Sequence, residues 1–176
     1  MPTIFTHAVV PLALGAGLGG QVISRRLVLA GVAVAILPDL DVIAFQFGVP
    51  YGSDFGHRGF SHSLVGAAIV ALAMAFARRV LQAGFARAFP FLFLAGASHG
   101  LLDAFTNGGS GVALLWPFSS GRYFAPLTPI EVSPIGLSRF LTERGATVLF
   151  SEFLWIWLPC AAITLAMIAV RRARPN

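Results

Sequence analysis

Histidine and aspartate are concentrated in four short segments of this sequence. All four histidines and three of the four aspartates lie in these segments, and Asp54 is the exception. Imidazole nitrogens and carboxylate oxygens, with no thiolate, are ligands that suit Zn²⁺, Mn²⁺ or Fe²⁺. The sequence therefore predicts one metal site, built from His7, Asp39, Asp41, His57, His62, His99 and Asp103.

Residue spacing indicates how two of the segments present their side chains. His99 and Asp103 are four residues apart, so a helix places them on one face, about one turn apart. His57 and His62 are five residues apart, roughly 140° around a helix, and cannot share a helical face. We expect His57 to approach from a loop that folds back at Gly59, and Ser61 to cap a helix with His62 in its first turn.

The Pro38-Asp39-Leu40-Asp41 segment allows two arrangements. On a continuous helix the two carboxylates would diverge by about 200°, so both reach one site only if the backbone is irregular there. Alternatively, one carboxylate binds metal while the other orients a histidine, as metal-ligating imidazoles usually require. The sequence leaves both arrangements open. His7, near the start of the first apolar run, is the least constrained ligand because it lies in no motif.

The number of candidate ligands predicts more than one ion. Seven ligands exceed the four of a single tetrahedral site, so we expect two ions, and Zn²⁺, Mn²⁺ and Fe²⁺ stay open as candidates. Paired ions about 3.5–4 Å apart lower the pKa of a bound water towards neutrality, which is the chemistry of metal-dependent hydrolases.

Composition shows where these ligands must be held. The chain is 57% hydrophobic and 11% charged, with a mean hydropathy of +0.82, which is far from the composition of a soluble domain. The excess of arginine is better explained by membrane topology than by nucleic acid. The predicted fold is all-α: a polytopic membrane bundle that forms a single domain over residues 1–176. Its five predicted spans are residues 4–20, 27–46, 62–79, 89–106 and 146–170.

Five spans place alternate connections on one side of the membrane. One side then carries no acidic residue, and its excess of arginine predicts the cytoplasm: Arg25, Arg26, Arg78, Arg79, Arg87, Arg171, Arg172 and Arg174. The metal site is therefore expected on the extracytoplasmic side of the inner membrane. A long connection, residues 107–145, lies on that side and is typical of a functional loop or cap. Its aromatic residues are expected to cover the site or to act as interfacial anchors: Trp116, Phe118, Tyr123 and Phe124.

Four sequence stretches resemble the YdjM-type membrane-bound metal-dependent hydrolases of bacteria and archaea. These are LPDLD, GHRGFSHSL, ASHGLLDAFTNGG and LLWPFSSGR, and the resemblance covers roughly residues 1–125. The chain differs from the family pattern at Ser61, where threonine is commoner, and at Asn107, where proline usually follows the threonine. Neither difference removes a candidate ligand.

The resemblance implies a zinc-like site with two or three ions that acts on phosphate esters, because the family's pattern is similar to that of helical zinc-dependent phospholipases C. Arg58 and Arg122 are then the candidate catalytic arginines that neutralise phosphate oxygens. The general acid stays open among Glu131, Glu143 and Glu152. Ligands at membrane depth favour a membrane lipid or lipid-linked substrate. The alternatives are a metal transporter and a structural or regulatory membrane protein.

Overall fold

A computed structural model describes residues 1–134 and 136–173 of the chain. Within these ranges the regular secondary structure is helical, apart from two isolated β-bridges. The α-helices are α1 (Ile4–Leu18), α2 (Arg25–Ile36), α3 (Leu64–Ala75), α4 (Arg78–Leu81), α5 (Phe85–Ala104), α6 (Leu137–Phe140), α7 (Glu143–Glu152) and α8 (Leu158–Ala173). A 3₁₀ segment (Leu37–Phe47) extends α2, a 3₁₀ turn (Phe60–His62) precedes α3, and a π segment (Phe153–Trp157) joins α7 to α8.

The predicted all-α membrane bundle is confirmed. Three continuous helical stretches are long and apolar enough to cross a membrane, namely Arg25–Phe47, Phe85–Ala104 and Glu143–Ala173. Ile4–Leu18 and Leu64–Ala75 are shorter apolar helices at the positions predicted for the first and third spans. None of the described residues of α8 is buried, as expected for a helix that faces lipid.

The predicted third span, residues 62–79, differs from the structure at both ends. The helix begins after Ser63, whose hydroxyl accepts a hydrogen bond from the Gly66 amide. It ends at Ala75, and a break at Ala77 separates it from α4. The prediction of Ser61 as the helix cap is therefore wrong, because Ser63 occupies that position. The long connection also ends earlier than predicted, since α6 and the start of α7 lie within it.

The antiparallel arrangement of the helices separates two chemically different ends. The predicted cytoplasmic arginines gather where α1, α3 and α8 end and where α2 and α5 begin, with Arg174 outside the described residues. Arg171 donates to the carbonyls of Ala16 and Gly17 there, which ties α8 to the end of α1. An apolar core lies between that end and the middle of the bundle, formed by Ile23, Leu27, Val34, Ala71, Ala75, Leu81, Ala88, Phe91 and Leu92. The histidines and aspartates of the predicted site lie at the opposite end.

Candidate metal centre

The ends of four helical segments bring the predicted ligands together. Six of the seven fall into two groups of three, and within each group one ligand atom per residue lies within 4.8 Å of the others. The first group is His7 of α1 with His99 and Asp103 of α5; the second is Asp39 with His57 and His62. All six side chains are buried. His99 and Asp103 lie on one face of α5, as their spacing predicted.

The 3₁₀ segment explains how Asp39 and Asp41 both reach the site. Pro38 has no amide hydrogen to continue the α2 ladder, and the helix tightens into 3₁₀ geometry from Leu37. Asp39 then points between the histidines, with Oδ1 3.5 Å from His99 Nε2 and Oδ2 3.9 Å from His7 Nε2. The irregular backbone considered from the sequence is therefore present.

Asp41 contacts histidines through their outer nitrogens. Its Oδ1 lies 2.6 Å from His57 Nδ1, and its Oδ2 lies 3.2 Å from His62 Nδ1 and accepts a hydrogen bond of 2.7 Å from the Ser61 hydroxyl. A carboxylate on Nδ1 fixes the tautomer that leaves Nε2 free to bind metal. The geometry therefore favours an orienting role for Asp41 and a ligand role for Asp39.

The loop that carries His57 folds back as predicted, but by a different residue. Arg58, not Gly59, adopts the left-handed backbone conformation, with φ of 62°. Gly59 is needed for space, because a Cβ atom there would collide with the carbonyl oxygen of Asp54. The chain thus turns tightly between His57 and His62, and the centroids of their rings lie 5.2 Å apart.

Unpaired buried polar atoms mark the centre of this cluster. Among the described residues, the buried side-chain nitrogens and oxygens without a hydrogen-bond partner all belong to His7, Asp39, Arg58, His62, His99 and Asp103. Neither Asp39 nor Asp103 has a hydrogen-bond partner on either carboxylate oxygen, although Asp103 forms an ion pair with Arg58. Buried polar groups normally have hydrogen-bond partners, and burying a carboxylate without enough of them lowers the stability of the fold. This set of atoms fits a bound cation.

The distances between these atoms also fit metal ligation. His62 Nε2 lies 3.4 Å from Asp103 Oδ2, and His7 Nε2 lies 3.6 Å from Asp103 Oδ1, too far for good hydrogen bonds. Two ligand atoms about 2.1 Å from a tetrahedral zinc ion stand roughly 3.4 Å apart. His99 Nδ1 lies 2.7 Å from the Ala35 carbonyl oxygen, an arrangement that leaves Nε2 free to ligate. The donor set therefore fits a divalent metal, and metal binding stays a prediction.

Arg58 is wholly buried beside Asp103. Its Nε lies 3.1 Å from Asp103 Oδ2, while its terminal nitrogens donate to the Gly108 carbonyl and the Thr106 hydroxyl. Its two terminal nitrogens thus have hydrogen-bond partners, while Nε contacts Asp103 as an ion pair. The geometry favours a positioning role, in which Arg58 holds Asp103 and the chain after α5 in place. Its predicted catalytic role stays a prediction.

Arg122 forms hydrogen bonds that link the long connection to the loop that carries His57. Its guanidinium donates to the carbonyls of Tyr51, Ser53 and His57. The Ala113 amide also donates to the Arg58 carbonyl at 3.0 Å, so the connection lies against the loop. Its catalytic role also stays a prediction.

The aromatic side chains of the long connection divide into two groups. Trp116 is partly buried and packs near Phe55 and Phe60, with ring centroids 6.4 and 5.8 Å away. Phe118, by contrast, is 88% exposed, as expected of an interfacial anchor.

Tyr51, in the loop before His57, packs edge-on against the His57 ring, with ring centroids 5.2 Å apart. Burial raises the pKa of the Tyr51 phenol.

A second polar network lies behind His7 and was not recognised from the sequence. Glu152 is completely buried and accepts hydrogen bonds from the hydroxyls of Thr3 and Thr6, each at 2.6 Å. Trp157 also donates to the Thr6 hydroxyl. These contacts join residues nearly 150 positions apart, and local spacing gives no signal for them. A single glutamate inside an apolar helix was the available clue.

Glu131 and Glu143 lie apart from this network. Glu131 pairs with Arg144 at 2.7 Å, and its pKa is held low by Asn107 and by that arginine. Glu143 is exposed at the start of α7. Neither is among the residues grouped at the metal centre.

Comparison with known proteins places the chain in a family. The family model described as YdjM inner membrane protein matches residues 1–175. The chain is 53% identical to the inner membrane protein YbcI of Escherichia coli K12 over 160 residues, which is 90% of this chain and 92% of YbcI. It is 32% identical to the inner membrane protein YdjM of the same organism over 144 residues, covering 76% of this chain and 67% of that protein. No solved structure matches the chain. The chain belongs to the YdjM family of inner membrane proteins.

Proposed function

We propose that this chain is a membrane-embedded, metal-dependent hydrolase that cleaves a phosphate ester of a lipid or lipid-linked substrate. The observation that carries the proposal is the cluster of buried, unpaired imidazole nitrogens and carboxylate oxygens inside a membrane protein. Ionisable groups at membrane depth are costly, and they usually serve a function there. Divalent ions held by the cluster would supply the Lewis acidity and acidified water that phosphate ester hydrolysis requires.

The contacts of the residues indicate which of them would hold each ion and which would orient the ligands. One ion would be held by His7, His99 and Asp103, and another by Asp39, His57 and His62. Zn²⁺ suits this donor set best, and Mn²⁺ or Fe²⁺ are alternatives. Asp41 would orient His57 and His62 through its contacts to Nδ1 of each ring, which leaves Nε2 of each ring free to ligate.

Arg58 and Arg122 contact residues of the metal centre or of the loop beside it. Arg58 places a buried positive charge against Asp103, which offsets part of the negative charge of the two inner carboxylates. Arg122 fixes the His57 loop through three backbone carbonyls. A substrate phosphate that displaces one of these contacts would meet a guanidinium, which is how either residue would stabilise charge in the reaction.

The site is proposed to face the extracytoplasmic side. The arginine-rich end of the bundle lies opposite the histidines, and an excess of arginine in short loops marks the cytoplasmic side of inner membrane proteins. A substrate in the outer leaflet of the inner membrane would then lie at the depth of the ligands.

The test is hydrolysis by purified protein in lipid vesicles, loaded with Zn²⁺ or Mn²⁺ and offered phospholipids and lipid-linked phosphates. We expect release of phosphate or headgroup that is lost in Asp103→Asn. The matched control is Asp54→Asn, because Asp54 is exposed and lies outside the cluster. Cleavage of none of these substrates, together with metal flux across the vesicle membrane, would identify a transporter and reject the hydrolase.

A further inference from the structure

A lateral cavity of about 320 Å³ adjoins the metal centre. It lies between the 3₁₀ segment after α2 and the start of α3, with α5 behind it. Both α2 and α3 pack extensively on α5 but touch each other little, which leaves this gap open at the side of the bundle. The volume falls in the range of small-molecule sites, about 300–1,000 Å³.

The lining of the lateral cavity is polar at one end only. Within the part of the chain that the structure describes, Asp41 and Ser61 are its only polar side chains, and these two also contact each other and the histidines of the metal centre. The rest of the lining is apolar or glycine. A polar occupant would lose its hydrogen bonds to water along most of this wall, which disfavours it strongly.

The cavity extends from the metal centre towards the middle of the bundle. Val34 precedes Asp39 by five residues, and Val70 lies six residues after Leu64, the first residue of α3. At about 1.5 Å per residue, Val70 lies roughly 9 Å along α3 from the start of that helix. Both residues line the cavity, so its apolar part runs from Asp41, which contacts His57 and His62, towards the middle of the bundle.

Small residues shape the back of the cavity. A Cβ atom at Gly96 would lie 3.1 Å from the Ala67 Cβ and 3.2 Å from a Val34 methyl group, so α5 approaches both α2 and α3 closely there. Phe55 and Phe60 also line the cavity and are 63% and 37% exposed. Close helix packing therefore forms the back of the cavity, and exposed aromatic rings flank its opening.

We propose that the lateral cavity binds one hydrocarbon chain of a membrane lipid, while the phosphate ester of that lipid reaches the metal centre. This proposal rests on the proposed hydrolase function. A chain can enter sideways between α2 and α3 without leaving the hydrocarbon region. The polar end formed by Asp41 and Ser61 then fixes where the chain stops and the headgroup begins.

The cavity contributes mainly to alignment of the substrate. A hydrocarbon chain that moves from lipid into an apolar cavity gains little free energy, because lipid tails are as apolar as the cavity wall. Binding there nevertheless restricts the ester to one position and orientation, which favours reaction of the held group. The cavity would therefore select substrates that have a chain over soluble esters with the same phosphate.

Photo-cross-linking tests the proposal without relying on hydrolysis. The probe is phosphatidylglycerol with a diazirine in the middle of one acyl chain, in phosphatidylglycerol–phosphatidylethanolamine vesicles that contain the metal-loaded protein. Cross-linked peptides are mapped by mass spectrometry. Ala44→Trp and Val70→Trp fill the cavity from opposite walls, and the neighbouring exposed residues give the controls Ile43→Trp and Ile69→Trp.

We expect cross-links at Val34 and Ala67 that fall at least fivefold in both cavity variants and persist in both controls, with unchanged metal content throughout. Cross-links that map elsewhere, or that survive in either cavity variant, would overturn the proposal. If cavity cross-links behave as expected but no lipid is cleaved, the hydrocarbon site stands and the hydrolase function fails.

Discussion

His7 and His99 stack their imidazole rings, with ring centroids 3.7 Å apart and planes inclined by 17°. Both residues are completely buried. Two stacked imidazolium ions would repel each other strongly at this distance, so at least one ring must be neutral. Both Nε2 atoms lack a hydrogen-bond partner and lie near carboxylate oxygens. The two Nε2 atoms therefore lie close to the Asp103 and Asp39 carboxylates, where a cation would be coordinated by nitrogen and oxygen together.

Asp41→Asn tests the orienting role of Asp41. The amide can still contact one histidine, but it cannot accept from both Nδ1–H groups and the Ser61 hydroxyl as the carboxylate does. Loss of such an outer partner typically weakens metal binding about 10–100-fold. Competition with a chelator of known affinity measures the change. Affinity lowered to the level of a true ligand variant, Asp39→Asn, would show that Asp41 binds metal itself.

Arg58→Met tests the buried ion pair with Asp103. The apolar side chain leaves Asp103 uncompensated, and breaking a buried pair in this way costs about 3–5 kcal/mol of stability. Thermal unfolding in detergent without added metal should show a lower midpoint, and added Zn²⁺ should recover part of it. The comparison is Arg122→Met, whose native partners are backbone carbonyls near the surface, with a smaller expected loss.

Glu152→Gln tests whether the second network positions His7. The glutamine amide places a donor where the Thr3 and Thr6 hydroxyls also donate, so the start of α1 should shift. We expect metal affinity to fall about tenfold, as for other outer-partner changes. Glu143→Gln removes the same charge from an exposed position and should leave affinity unchanged. Equal affinities of the two variants would exclude a positioning role for Glu152.

Sidedness is tested by thiol labelling in intact cells, in a Cys160→Ala background. Ser120→Cys lies in the exposed long connection on the metal side, and Gly84→Cys lies in open space at the arginine end. A membrane-impermeant maleimide should label the first and not the second, because the positive-inside rule keeps the arginine end in the cytoplasm. The reverse pattern would place the site on the cytoplasmic side.

Much of the architecture could be predicted because polar residues are so rare in this chain. Apolar runs separated by glycine and arginine located the five helices to within a few residues at most ends. The structure also brings all four histidines into the two groups of the candidate metal centre. The spacing of His99 and Asp103 also predicted their shared helical face. Helix ends were less predictable, since Ser61 and Ser63 are both good capping residues and only the backbone of the Phe60–His62 turn decides between them.

Contacts between distant segments were beyond sequence reasoning. The pairing of Arg58 with Asp103 depends on how the His57 loop folds against the chain after α5. The division of labour between Asp39 and Asp41 depends on the 3₁₀ geometry after Pro38, which local spacing allowed but did not require. The lateral cavity likewise arises from helix packing, and no single motif encodes it.

Elemental analysis of purified protein tests the central claim most directly, namely that the histidine and aspartate cluster binds divalent metal. Wild-type protein and Asp54→Asn should retain at least one zinc or comparable transition-metal ion per chain after dialysis. His99→Ala and Asp103→Asn should each lose at least one ion while still eluting as folded protein. Metal content that is zero in the wild type after incubation with Zn²⁺, Mn²⁺ and Fe²⁺, or unchanged in both ligand variants, would contradict the site.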